Sequence, residues 1–313
     1  LWIGTFNVSS QPPRDSGELS RWLPFTFIEQ RDLVVVALQE IGPTTNRESW
    51  GSALLAHLNT ERRTRAATDQ FQLVAHTFMW EMGLWVFVRC AHAPDITHVV
   101  SSCEPTGIGL AKKVTGKQLG NKGGVGIALR WREVPMCFVA VHLAARPERI
   151  VERERDFTQI VRRLQLDTTD AATGLDFVHQ HEHTFFLGDL NYRVTLPFEE
   201  AVKAHRAGDF VRLRQHDQLR VQKGMRRVLD GFHEGKIDFG PTYRWARDRD
   251  EFSNKRAQSP SYTDRVLHRS APGVAWCLRQ DDYSAALDLF GSDHRPVSAS
   301  YTLALRQYYT ISA

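Results

Sequence analysis

The chain has 313 residues, of which 42% are hydrophobic and 24% charged, and its 40 Lys and Arg against 36 Asp and Glu give a formal net charge of +4. This composition excludes a disordered chain, a collagen-like repeat and a disulfide scaffold. No charge-free apolar run approaches the roughly 18 residues that a membrane-spanning helix requires. The four cysteines show no C-x-x-C spacing, which favours reduced thiols and a cytoplasmic setting.

Short apolar segments typical of β-strands recur along the whole chain. In order, they are residues 2–8, 33–38, 71–78, 84–89, 125–131, 136–143, 184–187 and 297–303. Several are apolar throughout, as expected for strands that are covered on both faces.

Helical periodicity appears between these strands. The clearest helix is predicted over residues 147–164, where apolar side chains fall on one face and Arg and Glu on the other; the others are 48–59, 197–207 and 209–219. No repeat, low-complexity tract or linker marks a boundary, so the sequence predicts one α/β domain over residues 1–313. Because the sequence begins at Leu1 rather than Met, we expect a domain excised from a longer protein.

Polar residues that packing does not require occur where the predicted strands end, which is where α/β folds place their active sites. Asp189 and Asn191 follow one strand, and in an extended chain residues two apart point the same way, so both could act on one water or phosphate. A histidine with a carboxylate partner has its tautomer or its charge fixed. In chain order, the set is Asn7, Glu40, His142, Asp189, Asn191, Asp264, Asp293 and His294.

Cations are concentrated in one stretch of the sequence. No acidic residue occurs between Glu104 and Glu133, and phosphate ligands require charge-assisted donors of the kind found there. Lys122 lies among glycines, where the backbone can approach an anion closely, so we expect a phosphate contact. For Lys112 and Lys113 a solvated loop is the alternative explanation of the charge. The cations are Lys112, Lys113, Lys117, Lys122, Arg130 and Arg132.

The segments that contain these residues resemble, in order, the signatures of the inositol polyphosphate 5-phosphatases, within the exonuclease/endonuclease/phosphatase superfamily. The most specific are NKGG at 121–124, GDLNYR at 188–193 and DRVL at 264–267; the others are TFNV at 5–8, LQE at 38–40, VHL at 141–143, PTYR at 241–244 and SDHRPV at 292–297. Where the family usually has Trp-Cys before Asp-Arg, this chain has Tyr262 and Thr263, a change that removes no proposed catalytic group.

The resemblance implies a DNase I-like fold, a four-layer sandwich of two mixed β-sheets flanked by helices. It also implies Mg²⁺-dependent removal of the 5-phosphate from phosphoinositides or soluble inositol polyphosphates, with phosphatidylinositol 3,4,5-trisphosphate or 4,5-bisphosphate favoured. Such an enzyme would act in lipid signalling from the cytoplasm, in peripheral contact with membranes. No nucleic-acid partner is expected, and protein partners are left open.

The resemblance further implies roles for the metal site and the base. Glu40, with Asn7 beside it, would hold Mg²⁺ against a phosphate oxygen. Asp189, oriented by Asn191, would accept a proton from the attacking water, so no covalent intermediate is needed. The chain has no Cys-x5-Arg phosphate loop, which agrees with direct attack by water.

The remaining residues would contact the phosphates. His142 and His294, the latter oriented by Asp264, would donate to the phosphoryl oxygens, and Asp293 would add charge near the metal. Electrostatic stabilisation of this kind must dominate, because phosphate monoesters hydrolyse extremely slowly in water. Substrate binding is expected from Lys122, Arg193, Tyr243, Arg244 and Lys255.

Two other functions are compatible with parts of the pattern. A nuclease resembling AP endonucleases or DNase I would use a similar catalytic set, but a net charge of +4 and the lack of a long basic stripe with interleaved aromatics make polynucleotide binding less attractive. A phosphoinositide-binding pseudophosphatase would carry a broken catalytic set, and no member of the set is missing here.

Overall fold

The computed structural model describes residues 1–60, 66–107, 122–167, 174–255 and 258–304. Each of the eight predicted strands is present, with ends displaced by two residues or fewer. The strands of the described part are β1 (Trp2–Asn7), β2 (Leu33–Gln39), β3 (Phe71–Met79), β4 (Met82–Arg89), β5 (Ile96–Pro105), β6 (Gly123–Trp131), β7 (Val134–His142), β8 (His183–Asp189), β9 (His233–Glu234), β10 (Asp264–Ser270), β11 (Leu278–Ala285) and β12 (Val297–Leu303).

These strands form two mixed sheets of six strands each. The order in the first sheet is β11-β12-β1-β2-β4-β3, and that in the second is β5-β6-β7-β8-β10-β9. Each sheet contains one parallel pair near its centre, β1 with β2 and β7 with β8, and the other neighbours are antiparallel. The strands of the parallel pairs are buried along almost their whole length, Pro135 of β7 being half-buried, which explains why they read as largely apolar runs.

Helices cover the outer faces of both sheets. They are α1 (Ser16–Leu19), α2 (Phe25–Ile28), α3 (Thr45–Asn59), α4 (Ile150–Arg163), α5 (Phe177–Gln180), α6 (Phe198–Arg206), α7 (Phe210–Gln215) and α8 (Gln218–Gly224). Within the described ranges, no helix has the length and apolar character needed to cross a membrane.

The helix predicted over 209–219 is wrong, because two helices meet there. Asp217 is the N-cap of α8, and its carboxylate accepts hydrogen bonds from the backbone N–H groups of Leu219 and Arg220. The same carboxylate lies 2.9 Å from Arg265 Nη1 in β10, and both side chains are buried. This ion pair between distant parts of the chain holds the break in place.

Apolar side chains pack in three layers around the two sheets. The central layer, between the sheets, joins Val35 and Val86 of the first sheet to Ile127 and Leu187 of the second. One outer layer packs α3 on the first sheet, and the other packs α4 on the second through residues such as Ile160. The arrangement confirms the predicted four-layer sandwich.

Strand directions bring polar residues to one end of the sandwich. In the second sheet, Asp189 at the end of β8 is paired in register with His142 at the end of β7 and with Asp264 at the start of the antiparallel strand β10. In the first sheet, Asn7 ends β1, and its Nδ2 donates a hydrogen bond of 3.2 Å to Asp189 Oδ2. This bond joins the two sheets at the site.

Candidate active site

Asp189 is the centre of the polar cluster, and it is only 1% exposed. Its Oδ2 accepts from Asn7 and lies 3.2 Å from His142 Nε2 and 3.9 Å from His294 Nε2. Burial alone would raise the pKa of Asp189, but the hydrogen bond with His142 and the charges of His294 and Lys122 hold it well below its usual range. Asp189 is therefore an anion that three elements of the fold surround with donors.

Asn191 orients Asp189, although not in the predicted way. The extended geometry expected for residues 189–191 is wrong, because Asn191 adopts a left-handed conformation with φ of 58°, which asparagine tolerates. Its backbone N–H donates to Asp189 Oδ1 at 3.0 Å, whereas its side-chain Nδ2 donates to the carbonyl of Leu143 at 3.1 Å. The side chain thus anchors the turn, and the backbone holds the carboxylate.

His294 and Asp264 form a buried pair. His294 Nδ1 lies 2.9 Å from Asp264 Oδ2, and that oxygen also accepts hydrogen bonds of 2.8 Å from the hydroxyls of Thr242 and Thr263. Burial alone would lower the pKa of His294, but the carboxylates of Asp264 and Asp189 raise it to about 9. His294 is therefore an imidazolium at neutral pH, with Nε2 directed towards Asp189.

Lys122 and His142 form a second polar group beside the same carboxylate. The ammonium group of Lys122 contacts His142 Nε2, which in turn lies against Asp189. Burial lowers the pKa of Lys122, and the nearby carboxylates of Asp189 and Glu40 oppose this effect. Burial also lowers the pKa of His142, which favours the neutral ring.

Glu40 lies at the open edge of the cluster, directly after β2. Its backbone φ of 52° is unusual for a residue with a side chain, and such conformations concentrate at functional sites. Its carboxylate is 38% exposed and lies 3.9 Å from His142 Nε2, with no closer partner among the described residues. Asn7 Oδ1 accepts from the backbone N–H of Ser9 at 3.1 Å and keeps a second lone pair. These oxygen donors fit a hard divalent cation.

A second group with metal-ligand geometry is present in the described residues. One ligand atom each from Asp189, Asp264 and His294 lies within 4.8 Å of the others. However, His294 is protonated at neutral pH and its Nδ1 is bound to Asp264, so its ring is a poor ligand. Glu40 has the more accessible carboxylate and remains the better first ligand.

Asp293 connects the cluster to cations at its rim. Ser9 Oγ donates to Asp293 Oδ1, and Arg244 Nε lies 3.1 Å from Asp293 Oδ2. Burial alone would raise the pKa of Asp293, but the charge of His294, the bond from Ser9 and the charge of Arg244 hold it below its usual range. The guanidinium group of Arg244 is 18% exposed and is thereby anchored at the rim.

Tyr243 and Arg193 support the histidine from behind. The ring of Tyr243 lies between the ring of His294, with centroids 4.5 Å apart, and the guanidinium group of Arg193, whose Cζ is 4.5 Å from the Tyr243 centroid. Gln258 Oε1 accepts from both Arg193 Nη1 and the Tyr243 hydroxyl, at 2.8 and 3.1 Å. Arg193 also donates to Asn191. Their polar atoms are thus engaged with the protein.

Other predicted cations have no contact with the cluster within the described residues. Lys255 is exposed, and no ion pair within the described ranges joins its side chain to the cluster. Arg130 and Arg132 lie at the far end of β6 from the site, where they pair with Glu133 and Asp95, so the cationic stretch is not one continuous rim. Lys112, Lys113, Lys117 and Asn121 lie outside the described residues.

The sequence reasoning missed several hydroxyl groups. Ser292 Oγ donates to the Asn7 carbonyl at 2.7 Å and accepts from the His294 N–H at 3.0 Å, so it ties the two ends of the site together. Thr242 and Thr263 donate to Asp264, and Ser9 donates to Asp293. Thr263 and Ser292 directly precede Asp264 and Asp293, which was the one available signal, whereas Ser9 and Thr242 have no acidic neighbour in the sequence. A serine or threonine beside a strand is also a common turn residue.

Two six-stranded sheets between layers of helices, with carboxylates and histidines where the parallel strands end, define a DNase I-like fold. The chain belongs to Endonuclease/Exonuclease/phosphatase family 2, whose family model matches residues 4–300.

Individual relatives are 5-phosphatases. The chain is 29% identical to type II inositol 1,4,5-trisphosphate 5-phosphatase of Mus musculus, over 98% of this chain and 30% of that protein. It is 31% identical to phosphatidylinositol 3,4,5-trisphosphate 5-phosphatase 2B of Danio rerio, over 97% of this chain and 25% of that protein. The chain thus spans less than a third of either relative.

A solved structure shows the same fold. The inositol polyphosphate 5-phosphatase domain of SPsynaptojanin, in complex with inositol (1,4)-bisphosphate and calcium ion, superposes with a TM-score of 0.80 and 26% identity, over 96% of this chain and 82% of that one. The predicted resemblance to the 5-phosphatases is confirmed.

Proposed function

We propose that residues 1–313 form one catalytic domain, a Mg²⁺-dependent phosphatase that removes the 5-phosphate from phosphoinositides and soluble inositol polyphosphates. The proposal includes direct attack by water, with no covalent intermediate. The observation that carries it is the buried carboxylate of Asp189, on which Asn7, His142 and His294 converge from both sheets.

Asp189 is the proposed proton acceptor. Proton transfer to a positioned side chain contributes about 10² to 10⁴-fold to a rate. A carboxylate with so low a pKa is a weak base in the resting site. An anionic substrate would draw the charges of Lys122 and His294 towards its own oxygens, and this would raise the basicity of Asp189 as the water is deprotonated.

The donors around Asp189 supply the electrostatic stabilisation. His294 holds a proton on Nε2 and is fixed by Asp264, so it can donate to a phosphoryl oxygen without reorganising. The ammonium group of Lys122, which contacts His142, offers a second donor from the other side. Glu40 and Asn7 would hold Mg²⁺, which when bound supplies Lewis-acid polarisation and neutralises charge on the phosphate.

The proposed substrate class follows from the relatives and the rim. Both reported relatives are named for inositol 5-phosphates, and the solved neighbour holds an inositol bisphosphate that lacks a 5-phosphate, together with a divalent ion. Arg244 at the rim offers a forked guanidinium donor for a ring 4-phosphate, and Lys122 offers a compact ammonium group for the phosphate under attack. Phosphatidylinositol 3,4,5-trisphosphate and 4,5-bisphosphate are the favoured substrates, which requires peripheral contact with a membrane.

Phosphate release from a matched panel tests the proposal. The panel contains short-chain phosphatidylinositol 3,4,5-trisphosphate and 4,5-bisphosphate, soluble inositol 1,4,5-trisphosphate and phosphatidylinositol 3,4-bisphosphate, each with Mg²⁺ and with EDTA. We expect Mg²⁺-dependent release from the first three and none from the last. Cleavage of abasic or duplex DNA instead would favour a nuclease, and tight lipid binding in EDTA without turnover would favour a pseudophosphatase.

A further inference from the structure

The hydroxyl of Thr263 lies beside the His294–Asp264 pair, where the proposed reaction gives it no task. Thr263 immediately precedes β10 and is fully buried. Its Oγ1 donates a hydrogen bond of 2.8 Å to Asp264 Oδ2 and lies 3.4 Å from His294 Nδ1. A buried hydroxyl is costly unless it is hydrogen-bonded, so a residue of this shape would be apolar if packing were its only role.

Asp264 Oδ2 is held from three directions. It receives hydrogen bonds from Thr242 and Thr263, each of 2.8 Å, and it lies 2.9 Å from His294 Nδ1. An ionised carboxylate can only accept hydrogen bonds, so two hydroxyl donors on one oxygen favour the anion and fix the rotation of the carboxylate. In a water-excluded interior such charge-assisted bonds are stronger than in water.

The rotation of Asp264 decides where the His294 ring points. Nδ1 is tied to Oδ2, one ring face lies against Tyr243 with centroids 4.5 Å apart, and Nε2 is left facing Asp189 Oδ2 at 3.9 Å. Catalytic groups misplaced by about 1 Å can lose about 10²-fold in rate. A donor that locks the carboxylate therefore also locks the position of the proton on Nε2.

We propose that Thr263 is a positioning residue, whose hydroxyl fixes the Asp264 carboxylate and thereby directs His294 Nε2 into the site. The kinetic consequence rests on the proposed phosphatase function, whereas the structural claim does not. The backbone of Thr263 has its own anchor, because its carbonyl accepts a 2.8 Å hydrogen bond from the N–H of Leu190. Removal of the hydroxyl alone should therefore leave the strand end in place.

Kinetics of Thr263→Val and Thr263→Ser give the first test, with Thr184→Val as the matched control. Thr184 is also a buried threonine in the second sheet, and its hydroxyl contacts Cys137 Sγ at 3.5 Å, away from the site. For Thr263→Val we expect kcat to fall by about 10 to 100-fold, with KM changed by less than about twofold. Thr263→Ser should restore kcat to within about threefold of the parent, and Thr184→Val should leave it unchanged.

The ¹⁵N-labelled imidazole of His294 gives a second readout that does not depend on turnover. In the parent protein and in Thr263→Ser we expect a slowly exchanging Nδ1–H signal, and in Thr263→Val its broadening or loss. If Thr263→Val does not fold, Thr263→Cys replaces it, because a thiol is a weak donor and should give the same loss in milder form.

The outcomes separate this inference from the proposed function. A parent protein that hydrolyses nothing, but whose His294 signal is lost in Thr263→Val and kept in Thr263→Ser, would refute the phosphatase proposal and retain the positioning role. An unchanged His294 signal and an unchanged kcat in folded Thr263→Val would overturn the positioning role. A fall in kcat that Thr263→Ser does not rescue would also overturn it.

Discussion

The two sheets contribute unlike halves to one site. The closed side, formed by His142, Asp189 and Asp264 of the second sheet, has side chains that are 2% exposed or less. The open side, formed by Glu40, Asp293 and Arg244 around the end of the first sheet, has side chains that are 14% to 38% exposed. The carboxylates are similar chemically, but their surroundings are not.

The difference indicates a division of tasks. In a buried, hydrogen-bonded setting a charge is held in one position and its electrostatic effect is large, which suits proton transfer. Ions and substrates must exchange with solvent, which suits the exposed carboxylate of Glu40 and the rim arginine. Changes on the closed side should therefore affect kcat, and changes on the open side should affect apparent affinities.

The largest effect is expected for Asp189→Asn on the closed side. The amide keeps the shape but cannot accept the proton of the attacking water, so we expect kcat to fall by at least about 10²-fold with little change in KM. Single-turnover phosphate release and a thermal melt would measure this. Near-parent turnover in a folded variant would remove Asp189 from the role of base.

Glu40→Gln should have the next largest effect, and this effect should be on the Mg²⁺ dependence of activity. Loss of the exposed carboxylate should raise the Mg²⁺ concentration for half-maximal activity by at least about tenfold. Mutation of even an outer-shell partner of a metal lowers the metal affinity by about 10 to 100-fold, and Glu40 is proposed as a direct ligand. A Mg²⁺ titration measures it, with Glu48→Gln on the surface of α3 as control. An unchanged Mg²⁺ midpoint would move the metal to another set of residues.

Arg244→Ala tests the rim. A charge-assisted bond to phosphate is worth about 1.5 kcal/mol or more, so KM should rise by about tenfold for substrates that carry a 4-phosphate and much less for those without it. Arg247→Ala is the matched control, since Arg247 also faces Asp293 but at 3.9 Å and with a side chain that is 54% exposed. Equal losses on both substrate types would contradict the assignment.

The smallest effect is expected from pH. His294 has its pKa raised from 6.5 to about 9, so its contribution to folding stability is fully present below about pH 6.5 and is lost as the pH rises through 9. The same deprotonation should halve kcat near pH 9, relative to neutral pH. Melting temperatures and rates between pH 6.5 and 10 would measure both. A flat profile over this range would show that His294 is not the charged donor.

The sequence identified the residues that cluster better than it identified the hydroxyl groups that support them. Asn7, His142 and Asp189 could be identified because each stands where a predicted strand stops. His142 and Asp189 end neighbouring parallel strands of one sheet, so they must meet, whereas Asn7 reaches them from the other sheet. The bond from Thr263 to Asp264 and that from Ser9 to Asp293 depend on side-chain directions that no spacing rule specifies.

Three of the four strands that the sequence did not predict share a physical cause. β5, β9 and β11 are sheet edges with many exposed positions, so their sequences lack the apolar pattern of a covered strand. β10 lies inside the second sheet, but it begins with the charged residues Asp264 and Arg265, which face the site and the Asp217 ion pair. The partners that neutralise these charges, His294 and Asp217, are distant in the sequence and meet them only in the folded protein.

The pairing of β1 with β12 has a consequence for how the protein is made. Ser292, just before β12, is bound to Asn7 at a sequence separation of 285, so the two edges of the candidate site come from chain segments that are synthesised far apart in time. Contacts of such long range form slowly, because closing the long intervening loop costs entropy before the contact contributes to stability. A nascent chain in which β12 is still inside the ribosome would therefore have no assembled site, and the proposed hydrolysis would begin only after nearly all of this domain has emerged.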